Sequence, residues 1–141
     1  MSNNNIFIEK LRISGLRPTQ QRIYLCKLLF DRKETFHFTI GSLKKDLLKK
    51  NKKISIATIY NTVHAFKKKG YLKEIYVSAE KSYYDTNITE HHHFFNEDTN
   101  QLLDAESHEI SSIEINKDLS NKKVKSVEVL VRLASDNQNQ K

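Results

Sequence analysis

Residues 55–70 read SIATIYNTVHAFKKKG, and the reading of this stretch decides the fold. Ser55 suits a helix N-cap, where a short hydroxyl accepts from the free N–H groups of the first turn. Ile54 ahead of the cap and Ile59 five residues later suit a hydrophobic staple. Gly70 suits a left-handed stop. Helical spacing puts Ile56, Ile59, Val63 and Phe66 on one stripe. Ala57, Thr58, Asn61, Ala65 and Lys68 fall on the opposite face, with Tyr60 and His64 on its flank. That outer face is small and polar and carries no acid; no Asp or Glu occurs from Leu47 to Lys73.

Working outward, Thr39–Lys50 fits a second helix with Ile40, Leu43, Leu47 and Leu48 facing inward. The turn NKKI (51–54) joins the two at helix–turn–helix spacing. In that motif the second helix enters the major groove and its early residues meet base edges. Lysines on its rim neutralise phosphates, which adds affinity without sequence information. Upstream, GLRPTQQRIYLCKLLF (15–30) starts a helix at Pro18–Thr19, with Ile23, Cys26 and Phe30 on one face and Leu29 beside them. IFIEKLRIS (6–14) reads as a short helix. Downstream, LKEIYV (72–77) and KSYYD (81–85) read as two strands around SAE, the wing of a winged helix.

Charge is divided as the motif requires. Residues 1–75 hold 17 Lys/Arg against 5 Asp/Glu, a net of +12; residues 76–141 hold 7 against 12, a net of −5, within an overall +7. A basic first half joined to an acidic second half points to nucleic acid bound at one end. No apolar run approaches the roughly 18 residues of a membrane span, and the start, MSNNNIFIEK, does not read as a secretion signal. The single cysteine, Cys26, excludes an internal disulfide and any zinc site built from CxxC pairs. Cys26 reads as a small buried hydrophobe. A reducing, cytoplasmic setting with no membrane fits these features.

The acidic half opens on TEHHHFFNED (89–98). On a strand, His91 and His93 point to one side and His92 to the other, and alternate residues on one face lie about 6.6–7 Å apart. Two imidazoles so spaced can tilt onto one metal. Two ligands hold a metal weakly, so others must come from elsewhere: His37, Asp85, Glu90, Asp104 and His108 are candidates. Histidine with carboxylate suits zinc, iron(II) or manganese(II). QLLDAE (101–106) pairs with this strand across NEDTN. VKSVEVLVRL (124–133) alternates, with Val127, Val129, Val131 and Leu133 on one face. These segments predict a three-stranded antiparallel sheet, while 107–123 lacks a helical stripe and SDNQNQK (135–141) reads as a disordered tail.

GLRPTQQR, SIATIYNTV, KSYYDTN and EHHHFF, in this order, resemble the ferric uptake regulator (Fur) family of bacterial repressors from about Gly15 to Leu133. The DTN…HHHFF block and the lack of both family CxxC pairs are most similar to its iron response regulator branch, called Irr. The resemblance implies an α+β fold: a winged helix–turn–helix DNA-binding domain over 1–85, then a small α/β dimerisation and ligand-sensing domain over 86–141. It implies a regulatory metal site at His37, Asp85, His91, His93 and Asp104, for Fe2+ or Mn2+, with Zn2+ as a substitute in vitro. A second family site would use Glu90 and His92, but its other ligands are not evident. Asn96 and Thr99 stand at the first cysteine pair, so no cysteine-bound structural zinc is expected.

The branch also implies haem. The Cys-Pro haem motif is absent, since Lys27 follows Cys26, which leaves His91, His92 and His93 for haem. For DNA, Arg17 matches a basic residue that reaches the minor groove and Tyr60 a tyrosine that meets a thymine, while Asn61 replaces a frequent arginine. With Ser55, Thr58 and Lys68, these form the expected DNA-binding set. The implied protein is a homodimeric, iron-responsive, sequence-specific transcriptional regulator of iron-homeostasis genes, metal- or haem-gated, on double-stranded AT-rich DNA with a palindromic or direct-repeat operator; the family's repressors are the model, and activation is left open. Peroxide, manganese or zinc sensing within the family is the alternative. From other classes, a metal-storage or delivery protein predicts metal binding without DNA affinity. A metal hydrolase lacks HExxH and the glycine for catalytic loops, so an enzyme is not expected.

Overall fold

The computed structural model describes residues 4–136, in two compact units that meet at Ile88 and Thr89. The first unit carries helices α1 (Asn5–Ile13), α2 (Gln20–Phe30), α3 (Ile40–Lys49) and α4 (Ile56–Lys69) and strands β1 (His37–Phe38), β2 (Lys73–Ser78) and β3 (Lys81–Asp85). The start signals act as read. Thr19 Oγ1 accepts from the Arg22 N–H, Thr39 and Ser42 form a reciprocal capping box, and Ser55 Oγ accepts from the Thr58 N–H. Asn51, left-handed at φ +57°, turns the chain between α3 and α4. Gly70, at φ +86°, ends α4, and the Tyr71 N–H closes back on the Phe66 carbonyl at 2.9 Å.

The core of this unit is Leu11, Leu25, Cys26, Leu29, Phe38, Leu43, Leu47, Ile54, Ile59, Val63, Phe66, Leu72 and Tyr84. Burial pushes the Cys26 thiol up to about 11, which makes it an inert packing group. Two expected core positions differ. Ile56 and Leu48 are half exposed, and Thr62 is buried in the α4 stripe instead. Thr62 enters the core with its hydroxyl satisfied, donating to the Thr58 carbonyl at 2.7 Å.

Strands β1, β3 and β2 form an antiparallel sheet in that order, and with α4 they complete the winged helix. One partly buried cluster of polar groups braces wing to helix. The Lys67 ammonium on α4 lies 2.7 Å from Glu74 of β2 and donates to the Tyr76 hydroxyl, while the Tyr84 hydroxyl of β3 donates to Glu74. Burial works to raise the Glu74 carboxyl, and hydrogen bonds from Lys67, Ser82 and Tyr76 outweigh it, holding it below the ordinary value. Burial and the Glu74 charge push the Tyr84 phenol up to about 12. Glu74 therefore stays an anion and Lys67 a cation, locked to the wing.

The second unit holds β4 (His93–Asn96), β5 (Gln101–Asp104) and β6 (Leu130–Leu133), in the order β5-β4-β6. The three-stranded sheet expected here is present but mixed: β4 and β5 are antiparallel, whereas β6 runs parallel to β4. The connection over 105–129 leaves β5 at the His93 end of the sheet and returns to the same end, so β6 can only run alongside β4. The expected strand over 124–133 is shortened to its last four residues. No helix occurs among the described residues of this unit, in keeping with the missing apolar stripe over 107–123. Of the expected tail, 137–141 lie outside the described residues, and Ser135 is held by Asp98 through both its N–H and its hydroxyl.

Candidate metal centre and nucleic-acid face

Each unit offers a His–Asp pair set by strand register. In the first, β1 pairs with β3 so that His37 stands directly opposite Asp85, where facing side chains are about 5 Å apart at Cβ. His37 Nε2 lies 3.1 Å from Asp85 Oδ2, and the Asp85 side chain is 1% exposed. The Asn87 N–H donates to Asp85 Oδ1 at 2.8 Å, which leaves Oδ2 facing the imidazole. The Phe36 N–H donates to Thr86 Oγ1 and the Thr86 N–H to the Phe36 carbonyl, pinning the ends of both strands.

In the second unit the same device recurs. Strand β4 pairs with β5 so that His93 stands opposite Asp104. His93 Nε2 and His91 Nε2 lie 3.2 and 3.1 Å from the same oxygen, Asp104 Oδ1, with the two rings 4.3 Å apart. His91 Nδ1 sits 2.6 Å from the Thr89 carbonyl. A carbonyl only accepts, so Nδ1 carries the hydrogen of that contact, and Nε2 is the nitrogen turned on the carboxylate. Two imidazole nitrogens and a carboxylate oxygen so placed are a ligand set for a divalent cation. The backbone carbonyl that fixes the His91 tautomer is the outer-shell partner expected of a metal-ligating imidazole. Borderline nitrogen and hard oxygen donors, with no thiolate, fit Mn2+, Fe2+ or Zn2+.

The strand starts only at His93, so His91 and His92 lie just ahead of it, and His92 points elsewhere: its Nδ1 accepts from the Val129 N–H at 2.9 Å. Glu90 Oε1 likewise accepts from the Val127 N–H at 3.1 Å. These side chains extend the β6 pairing where the backbone ladder stops, so the residues matching a second metal site anchor a strand. His108 is exposed beside Glu106. Haem at His91, His92 and His93 finds no fit: the cleft of about 380 Å3 here is lined by His91 and His92 without His93, and by Glu90 and Glu106, carboxylates that would meet haem propionates as like charges. At the tip of the β4–β5 hairpin, Asn96 Oδ1 accepts from the Asp98 and Thr99 N–H groups. With the Asp98–Ser135 contact, hydrogen bonds join the hairpin tip to the end of β6 without cysteine. The NED triplet is the local signal for this turn, since Asn closes such turns through its side chain.

The expected DNA-contacting residues divide into two groups. Arg17, Tyr60, Asn61 and Lys68 are exposed, Tyr60 at 49%, and none of them belongs to the core. The Ser55 hydroxyl is spent within the chain, accepting from the Thr58 N–H and donating to Thr58 Oγ1. Ser55 therefore positions the start of α4, while the Thr58 hydroxyl only accepts in this pair. The Lys67–Glu74 brace was not visible in the sequence, because it joins a helix to a strand at no fixed spacing.

The model of the ferric uptake regulator family matches residues 13–133. The peroxide-responsive repressor PerR of Staphylococcus aureus is 31% identical over 107 residues, covering 76% of this chain and 71% of that protein. PerR of Staphylococcus epidermidis is also 31% identical, with 76% and 70% covered. Among solved structures, the ferric uptake regulator of Vibrio cholerae superposes with a TM-score of 0.68 at 16% identity, covering 91% of this chain and 98% of that one. That of Helicobacter pylori gives 0.62 at 17%, covering 94% and 92%. Likeness at such identities speaks for the fold alone; the family match and the PerR relatives carry more. The chain belongs to the ferric uptake regulator family of transcriptional regulators and is not an enzyme.

Proposed function

We propose that the protein is a metal-gated, sequence-specific repressor of iron-homeostasis genes, acting as a homodimer on AT-rich DNA with α4 in the major groove. One divalent ion, Fe2+ or Mn2+, takes His37 and Asp85 from the first unit and His91, His93 and Asp104 from the second. The observation that carries this reading is the repeated register, His37 opposite Asp85 and His93 opposite Asp104. Each pair alone is an incomplete ligand set. An ion held by both fixes the angle between reading head and dimer unit, and so the spacing of two α4 helices on a two-fold operator. It shifts the equilibrium only by its differential affinity for the two arrangements; a tenfold preference is about 1.4 kcal/mol.

A gel-shift titration against AT-rich duplex, with and without Mn2+ at several salt concentrations, tests the function. Metal is expected to tighten binding at least tenfold, and affinity to fall steeply and linearly in log[salt] as Lys/Arg displace counterions. Metal binding with no salt-sensitive DNA affinity would favour storage or delivery. Peroxide sensing is the second reading, favoured by the PerR relatives. It is separated by adding peroxide to the Fe2+-loaded and Mn2+-loaded complexes: release confined to the iron form supports it.

A further inference from the structure

The α4 face holds one feature that neither metal nor phosphate contact accounts for. Tyr60 and His64 sit one helical turn apart, with ring centroids 5.8 Å apart and planes within 6° of parallel. Both are exposed, outside the core. Tyr60 also lines an open cleft of about 510 Å3, with Thr39, Ile40, Glu74, Tyr76 and Tyr84. A phenol on a helix surface has two open χ1 rotamers, and the contact with His64 belongs to one of them.

We propose that His64 is a positioning residue for sequence reading: its imidazole, stacked on Tyr60, holds the phenol ring in one rotamer, presented to the base edges. The proposal rests on α4 being the reading helix. A stack of this kind biases a rotamer about 2- to 10-fold. A phenol ring held in one place meets the thymine methyl as an apolar surface, a contact that distinguishes bases. A phenol ring free to change rotamer leaves the helix docked on phosphates but blurs that discrimination. His64 thus acts on specificity and leaves non-specific affinity alone.

The test uses the full chain saturated with Mn2+. Wild type is first run through selection on a duplex library with a randomised core, and single-base variants of the selected site are then titrated. For His64→Ala, discrimination at one position in each half-site is expected to fall about 3- to 10-fold, with affinity for an unrelated duplex unchanged. His64→Phe, which keeps the stack, is expected to restore it. Tyr60→Ala is expected to lose the same discrimination, and the double variant nothing further. Full discrimination in His64→Ala, failure of His64→Phe to rescue, or additive losses in the double variant would each overturn the proposal. If wild type itself enriches no sequence, the DNA-reading assignment of α4 fails, and this proposal with it.

Discussion

Replacing His93 with alanine is expected to weaken Mn2+ or Zn2+ binding by at least about 100-fold, near 2.8 kcal/mol, whereas His92→Ala changes it no more than a few-fold. The two histidines are neighbours in sequence and opposite in use. His93 is 3% exposed, its Nε2 faces Asp104, and its backbone is fixed on both sides, by β5 and by its N–H bond to the Val129 carbonyl at 3.0 Å. An imidazole so held approaches an ion with little ordering left to do, and outer-shell losses alone cost 10- to 100-fold in comparable sites. His92 spends its ring nitrogen on the Val129 N–H, so its loss appears as about 1 kcal/mol of stability. Competition against a chromophoric chelator checks both. Equal losses in the two variants would mean that strand alternation does not decide the ligands.

Phe66→Ala is expected to destabilise the first unit by about 3–5 kcal/mol, against a total for a domain of this size of roughly 5–15 kcal/mol. Phe66 is fully buried and meets Phe30 edge-on at 5.2 Å and Tyr71 at 6.2 Å. It ties α2, α4 and the turn into the wing, so the cavity cannot close by moving one element. All the described helices lie in this unit, which makes the helical circular-dichroism band a report on it alone. The thermal midpoint in that signal should drop by at least about 12 °C. Ile56→Ala on the same helix, at a half-exposed position, is expected to stay within about 0.5 kcal/mol of wild type. A small shift for Phe66→Ala would show that α4 is not packed as described.

The reading head was legible because its signals are local. Ser55, Thr19, Thr39 and Gly70 act within a turn of where they stand, and helical spacing found the stripe except at Ile56 and Thr62. There a hydroxyl bonded to the preceding turn fills a core site that hydrophobicity assigns elsewhere. Strand alternation separated His92 from His91 and His93. It did not pick their partners: the residues alone left Glu90 and His108 open beside His37, Asp85 and Asp104, and it was the family resemblance that chose among them. The direction of β6 was hidden, because an alternating pattern reads the same either way and only the path of 105–129 decides it. The acceptor roles of Glu90 and His92 toward that strand follow from the path and were equally hidden. The Asp98–Ser135 contact spans 37 residues, beyond any local rule.

The central claim is that one ion draws ligands from both units, and His37 is the residue on which it turns. Mn2+ affinity and Mn2+-dependent DNA binding should be measured side by side on wild type and His37→Ala. Metal affinity is expected to fall at least tenfold and the metal-dependent gain in DNA affinity to disappear, with metal-independent binding retained. Unchanged metal affinity together with an unchanged metal-dependent gain would contradict the bridging account.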